Sequence, residues 1–251
     1  VDSQLTALRS SVDHLREVAS RIDASEFEAS AYPTKWSIAD VFSHIGSGAV
    51  ILRRRAEDII AGVESDEGFN QSVWDEWNAK PPAAQVADAL VADAALLERF
   101  DSLTDEQRDG FRFQMGPMNL DFAGLVGLRL NEHVLHTWDV EVAIDPAAAL
   151  PSDEAGVVVD NLAMIVMFTG KASGQTRVWH VRTTDPSRDF SLSFGPDSVE
   201  LSPGHSGVTA DLVLPAESFV RLVYGRLDPD HTPTSIESGD LDELRKAFPG
   251  I

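Results

Sequence analysis

Apolar residues return every three or four positions at the start of the chain, at Leu5, Leu8, Val12, Leu15, Val18 and Ile22, with polar residues between them. That 3.6-residue period predicts an amphipathic helix from about Asp2 to Ile22. Ser37 followed three residues later by Asp40 has the form of a capping box and predicts a second helix over Ile38 to Ala61. Pro81 and Pro82 introduce a third, alanine-rich helix ending near Phe100, with Leu90, Leu96 and Leu97 offered to a core. A fourth runs from about Asp121 to Ile144, where Asp145-Pro146 stops it. Four helices of this length predict a bundle. The stretch from Glu64 to Lys80, carrying Trp74 and Trp77, reads as a long connection, either a wall over a site or aromatic packing over the bundle end.

Beyond Pro151 the period changes. A helix over about Asp153 to Phe168 precedes strand-like runs at Val178 to Thr183, Phe190 to Phe194, Val199 to Leu201 and Asp211 to Leu214. Helical segments near Ala216 to Arg226 and Leu241 to Phe248 follow. The expected fold class is therefore a two-domain α+β protein: a four-helix bundle over residues 1–148 and a smaller α+β domain over residues 149–251. No internal repeat or low-complexity tract interrupts this order.

Charge and composition narrow the function. The 251 residues include 41 acidic and 20 basic side chains, which argues against a nucleic-acid partner, because phosphate binding needs clustered Lys and Arg. The one basic run, Arg53-Arg54-Arg55, lies within a predicted helix and reads as a solvated face. No run approaches the roughly 20 apolar residues of a membrane span, and VDSQLTALRSSVDHL is polar and helical rather than signal-like, so a cytoplasmic location without membrane association is expected. There are no cysteines, so any thiol chemistry must use a thiol from outside the chain.

On the fourth helix Leu125, Leu128, Glu132, His136, Asp139 and Ala143 share one face. If that face points inward, Glu132 and His136 stand one turn apart and reach a common ion. His44, near the buried stripe of the second helix, is the best third ligand, although a lone histidine there is also a common hydrogen-bonded core residue. His133 lies on another face and is a weaker candidate. Two histidines and a carboxylate suit zinc or a similar divalent ion and leave a coordination position open, as in catalytic sites. Asp139 then orients a ligand or acts as a general base, or is simply a carboxylate on the helix surface.

The segments KWSIADVFSHI, with Trp36 and His44, and RLNEHVLHTWDVEVAI resemble the mycothiol-dependent maleylpyruvate isomerase family within the DinB-like helical-bundle metalloenzymes. YGRLDPD and SGDLDELRKAFPG are similar to the SCP2-like α+β domain that accompanies this bundle. The resemblance implies metal ligation by His44, Glu132 and His136, a role for Asp139 beside them, and an arginine from the C-terminal domain at the site, Arg226 first and Arg221 second. It implies mycothiol as cosubstrate, activated as a metal-bound thiolate that attacks a small electrophile in a cis–trans isomerase or an S-transferase. In one respect the chain departs from a dicarboxylate isomerase: Lys80 is the only basic residue between the second and third helices. A metal-dependent hydrolase and a non-enzymatic ligand-binding or interaction protein are the competing readings.

Overall fold

The computed structural model describes residues 1–116, 118–236 and 241–250. Ser238 to Asp240, which open the SGDLDELRKAFPG run, lie outside the described residues. The chain divides into two compact units, Val1–Ala148 and Ala149–Ile251.

The first unit is built on α1 (Asp2–Ser20), α2 (Ile38–Ala61), α4 (Pro82–Asp101) and α6 (Phe122–Ile144). α2 packs chiefly on α4, and α1 on α6. The stripe Leu5, Leu8, Val12, Leu15 and Val18 of α1 is buried, as are Ile38, Val41, Phe42, Ile45 and Ala49 of α2. The capping box forms: Ser37 Oγ accepts from Asp40 N at 3.1 Å while Ser37 N donates to Asp40 Oδ2 at 2.8 Å. At the other end of α2, Gly62 closes the helix at φ 65°, a left-handed conformation that favours glycine.

The Glu64–Lys80 connection is not a plain loop, because α3 (Phe69–Asn78) lies within it. Its Trp77 is buried, whereas Trp74 is 42% exposed. Burial of Trp77 depends on Gly46 of α2: a Cβ there would lie 2.3 Å from the indole ring and 2.9 Å from Ala89 Cα. On α4 the core stripe is Val86, Ala89, Asp93, Leu96 and Phe100, while Leu90 and Leu97 are only half-buried. The expected leucine set was therefore right at Leu96 alone; an aspartate occupies a core position that pattern reading leaves to the leucines. A short helix α5 (Asp105–Gly110) and a hairpin of β1 (Phe113–Met115) and β2 (Met118–Leu120) lead into α6, whose first turn is capped by Asp121 Oδ1 accepting from Gly124 N at 2.8 Å.

The second unit mixes helices and a sheet. The helix expected over 153–168 is two, α7 (Ser152–Val159) and α8 (Leu162–Thr169), interrupted at Asp160–Asn161. Four strands follow, β3 (Arg177–Thr184), β4 (Arg188–Phe194), β5 (Val199–Pro203) and β6 (Leu212–Pro215), in the order β5-β4-β3-β6. The first three form an antiparallel meander, and β6 runs parallel to β3. α9 (Ala216–Val223) leaves β6 directly and packs with α7 and α8; α10 (Leu241–Ala247) closes the described chain. Among the described residues no helix is long and apolar enough to cross a membrane.

Candidate metal centre

Two helices bring the ionisable residues together. His44 sits two turns into α2 beyond the Ser37 cap, and Glu132 and His136 stand one turn apart on α6. One potential ligand atom from each of the three lies within 4.8 Å of the others. His44 Nε2 is 3.5 Å from Glu132 Oε2, and His136 Nε2 is 3.6 Å from the same oxygen. With metal–ligand bonds of about 2.0–2.1 Å in tetrahedral geometry, adjacent ligand atoms stand about 3.4 Å apart, so these two edges match a bound ion. The side chains of His44 and Glu132 remain 41% and 38% exposed, which leaves the cluster open to a small molecule.

The protonation states also suit an ion. Burial by itself would raise the Glu132 carboxyl, but the hydrogen bonds and charges of His136 and His44 outweigh it and hold the group far below the usual carboxylate range. Burial lowers the His44 imidazole from its ordinary value, and the neighbouring His136 and Arg129 charges lower it further, against the pull of Glu132. At neutral pH this pairs an ionised carboxylate with a neutral His44, the forms in which both residues ligate metals.

Asp139 is fully buried, not a surface carboxylate, and its Oδ2 lies 2.8 Å from His136 Nδ1. An Nδ1–H donated to Asp139 leaves the Nε2 lone pair of His136 on the Glu132 side. Trp36 forms an aromatic wall, its ring centroid 5.8 Å from that of His136 in a stacked arrangement and 5.2 Å from that of His44. The loop carrying Trp36 is held by Ala31 N donating to Trp36 O at 2.9 Å and Trp36 N donating to Pro33 O at 2.8 Å. Tyr32 N donates to the Asp139 carbonyl at 3.1 Å, tying the same loop to α6.

Residues 8–141 match the family described as the mycothiol maleylpyruvate isomerase N-terminal domain. The chain belongs to that family. Among solved structures, the mycothiol-dependent maleylpyruvate isomerase is similar in fold, with a TM-score of 0.64 at 15% identity over 90% of this chain and 89% of that one. A histidine-to-alanine variant of the same enzyme aligns over the same shares at 15% identity with a TM-score of 0.63. No curated relative matches the sequence.

Several charged residues of this family member are engaged elsewhere. Lys80 Nζ binds Asp88 Oδ2 at 2.9 Å and stands 4.0 Å from the Trp77 ring centroid. Arg53 and Arg54 pair with Glu57 and Asp58 one turn on, and Arg55 donates to Asn70 Oδ1 at 3.0 Å. In the second unit, Arg221 is buried, donating to both carboxylate oxygens of Glu217 and to the His231 carbonyl. Arg226 is half-buried, with Nη1 donating to the Tyr224 carbonyl at 2.9 Å.

A second polar cluster, missed from the sequence, crosses the bundle core. Arg129 Nη2 donates to Asp93 Oδ1 at 2.5 Å and to the Ile45 carbonyl at 3.0 Å. The other Asp93 oxygen lies 3.2 Å from His133 Nε2, and His133 Nδ1 is 2.7 Å from Ser11 Oγ. The available signal was the placement of Asp93 within the α4 apolar stripe and of Arg129 one turn before Glu132.

Proposed function

We propose that this chain is a mycothiol-dependent enzyme, an isomerase or S-transferase, that holds a divalent ion, most simply zinc, on His44, Glu132 and His136. The observation that carries this reading is the convergence of those three side chains, with a ligand atom of each within 4.8 Å of the others and both histidines at tetrahedral-edge distance from Glu132, in a member of this family. An ion bound there supplies a positive charge that lowers the proton affinity of a sulfur held beside it and so favours the nucleophilic thiolate. The chain has no cysteine of its own, in keeping with a thiol that arrives as cosubstrate.

The remaining roles follow from position. Asp139, buried behind His136, acts through that histidine by fixing its tautomer and orientation, which makes it a positioning residue rather than a base in contact with substrate. Trp36 shields one side of the imidazoles and offers a flat apolar surface to a small electrophile. Attack of the thiolate on one carbon of a cis double bond, rotation about the resulting single bond and expulsion of the same sulfur give the trans product. In a transferase the new carbon–sulfur bond is kept instead, and the adduct leaves after the neighbouring carbon takes a proton from water or after the electrophile expels its own leaving group. Lys80 is committed to Asp88 and Trp77, which supports an electrophile other than a dicarboxylate. We carry over from the family resemblance the SCP2-like assignment of residues 149–251 and a substrate-binding role for Arg226.

The test is elemental analysis of purified protein prepared without chelator, beside His44→Ala, Glu132→Ala and His136→Ala. About one equivalent of a divalent ion in the wild type, lost in each variant, is expected. Turnover of activated cis-alkenes or other electrophiles should then require mycothiol. A wild type that stays empty after incubation with zinc overturns the metal reading, and turnover independent of added thiol points instead to hydrolysis by an activated water.

A further inference from the structure

The buried cluster of Asp93, Arg129, His133 and Ser11 joins all four long helices of the bundle: Ser11 is on α1, Asp93 on α4, and Arg129 and His133 are on α6, while the accepting Ile45 carbonyl belongs to α2. Arg129 and Asp93 are 4% and 1% exposed, and Ser11 and His133 are fully buried. A charge in such a place is expensive to desolvate, and apolar residues of similar volume commonly pack there at no loss of stability. Its placement offers a reason for keeping it.

Ile45 is the residue after His44, and Arg129 lies three residues before Glu132. The Arg129–Ile45 contact therefore fastens α2 to α6 about one turn from the point where the ligands of the two helices meet. A shift of α2 by one residue along its axis would move His44 by about 1.5 Å, whereas a metal site tolerates errors of only a few tenths of an ångström. His133, one turn before His136 on α6, joins the same cluster through Asp93 and Ser11. Asp93 also balances the guanidinium charge, which would otherwise oppose a cation nearby.

We propose that the Asp93–Arg129 pair, braced by His133 and Ser11, is a positioning network that holds His44 of α2 in register with Glu132 and His136 of α6. This rests on the metal-binding reading above and adds that ligand spacing is set from inside the bundle. A purely structural network would stabilise the fold without regard to the ion.

Gly48 provides a perturbation that separates the two roles. It lies in the middle of α2, where alanine is the better helix former, and a Cβ there would stand 3.2 Å from Arg129 Nη1, displacing the guanidinium by a few tenths of an ångström. Zinc affinity by competition with a chromophoric chelator, and thermal unfolding of the metal-free protein, would be measured for the wild type, Gly48→Ala, Arg129→Lys and the core variant Leu96→Ala. Arg129→Lys is expected to weaken zinc binding about 10- to 100-fold, the range for residues that orient metal ligands. Gly48→Ala should also weaken it while unfolding no earlier than the wild type. Leu96→Ala should unfold earlier yet bind zinc normally. The cobalt(II) form of Arg129→Lys should show an altered visible absorption band. A wild type that binds zinc together with Gly48→Ala and Arg129→Lys variants that bind it equally well overturns the positioning role alone; zinc affinity that follows unfolding temperature across all variants does the same. A wild type that binds no zinc overturns the metal reading and this inference with it.

Discussion

Asp139→Asn tests the arrangement behind His136. The substitution conserves volume, and the amide oxygen can still accept a hydrogen bond from His136 Nδ1, so the imidazole can keep its place. What is lost is the negative charge 2.8 Å from that nitrogen, in a fully buried position where solvent does little to screen it. The carboxylate makes Nε2 a stronger donor and fixes the proton on Nδ1; an amide can also turn its NH2 toward the ring and select the wrong tautomer. Loss of a carboxylate that orients a ligating histidine costs roughly 10- to 100-fold in metal affinity, or about 1.4–2.7 kcal/mol. Zinc affinity by chelator competition should therefore fall by one to two decades in Asp139→Asn, while His136→Ala, which removes the ligand itself, falls further. Equal affinity in Asp139→Asn and the wild type would refute the orienting role of Asp139 and leave it as a buried polar group of the bundle core.

Other expected outcomes concern the scaffold around the site. Gly46→Ala should destabilise the bundle by about 1–3 kcal/mol in denaturant unfolding, because its methyl group would overlap the Trp77 ring and crowd Ala89; a wild-type midpoint would show that α3 moves aside freely. Ser37→Ala should cost about 1 kcal/mol by leaving Asp40 N without its cap, and a loss below about 0.3 kcal/mol would show that the cap contributes little to α2. Burial alone would raise the Asp93 carboxyl, but His133 and Arg129 hold it below its ordinary value of 3.8. Its contribution is thus present above the unfolded value and disappears as pH falls through the lower folded value, so metal-free stability should drop on acidification from about pH 4. Asp93→Asn should be less stable than the wild type at pH 7 and lose less on acidification; parallel pH curves would sink that assignment.

Much of the architecture was legible because long helices leave a strong periodic trace. The stripe of α1, the Ser37–Asp40 cap of α2, the proline entry to α4 and the Asp145-Pro146 stop after α6 are local signals, and local signals need no knowledge of the rest of the chain. α3 was missed although Phe69, Val73 and Trp77 recur every four residues, because ten residues give too few turns for the period to stand out and its anchor, Trp77, is buried only through the space left by Gly46, more than 30 positions earlier. The 153–168 segment read as one helix because it is apolar nearly throughout, which hides the break at Asp160–Asn161.

For the candidate site, the sequence by itself determined that Glu132, His136 and Asp139 share a face of one helix, since a 3.6-residue period dictates that much, and it excluded an internal thiol by containing no cysteine. Only the tertiary structure decided that this face meets His44, that Asp139 is buried against His136, and that the charges of Arg129 and Asp93 cancel inside the core. Helix periodicity specifies which side chains point the same way. Which helix lies opposite, and at what axial register, follows from the packing of all four helices at once and is written in no single segment.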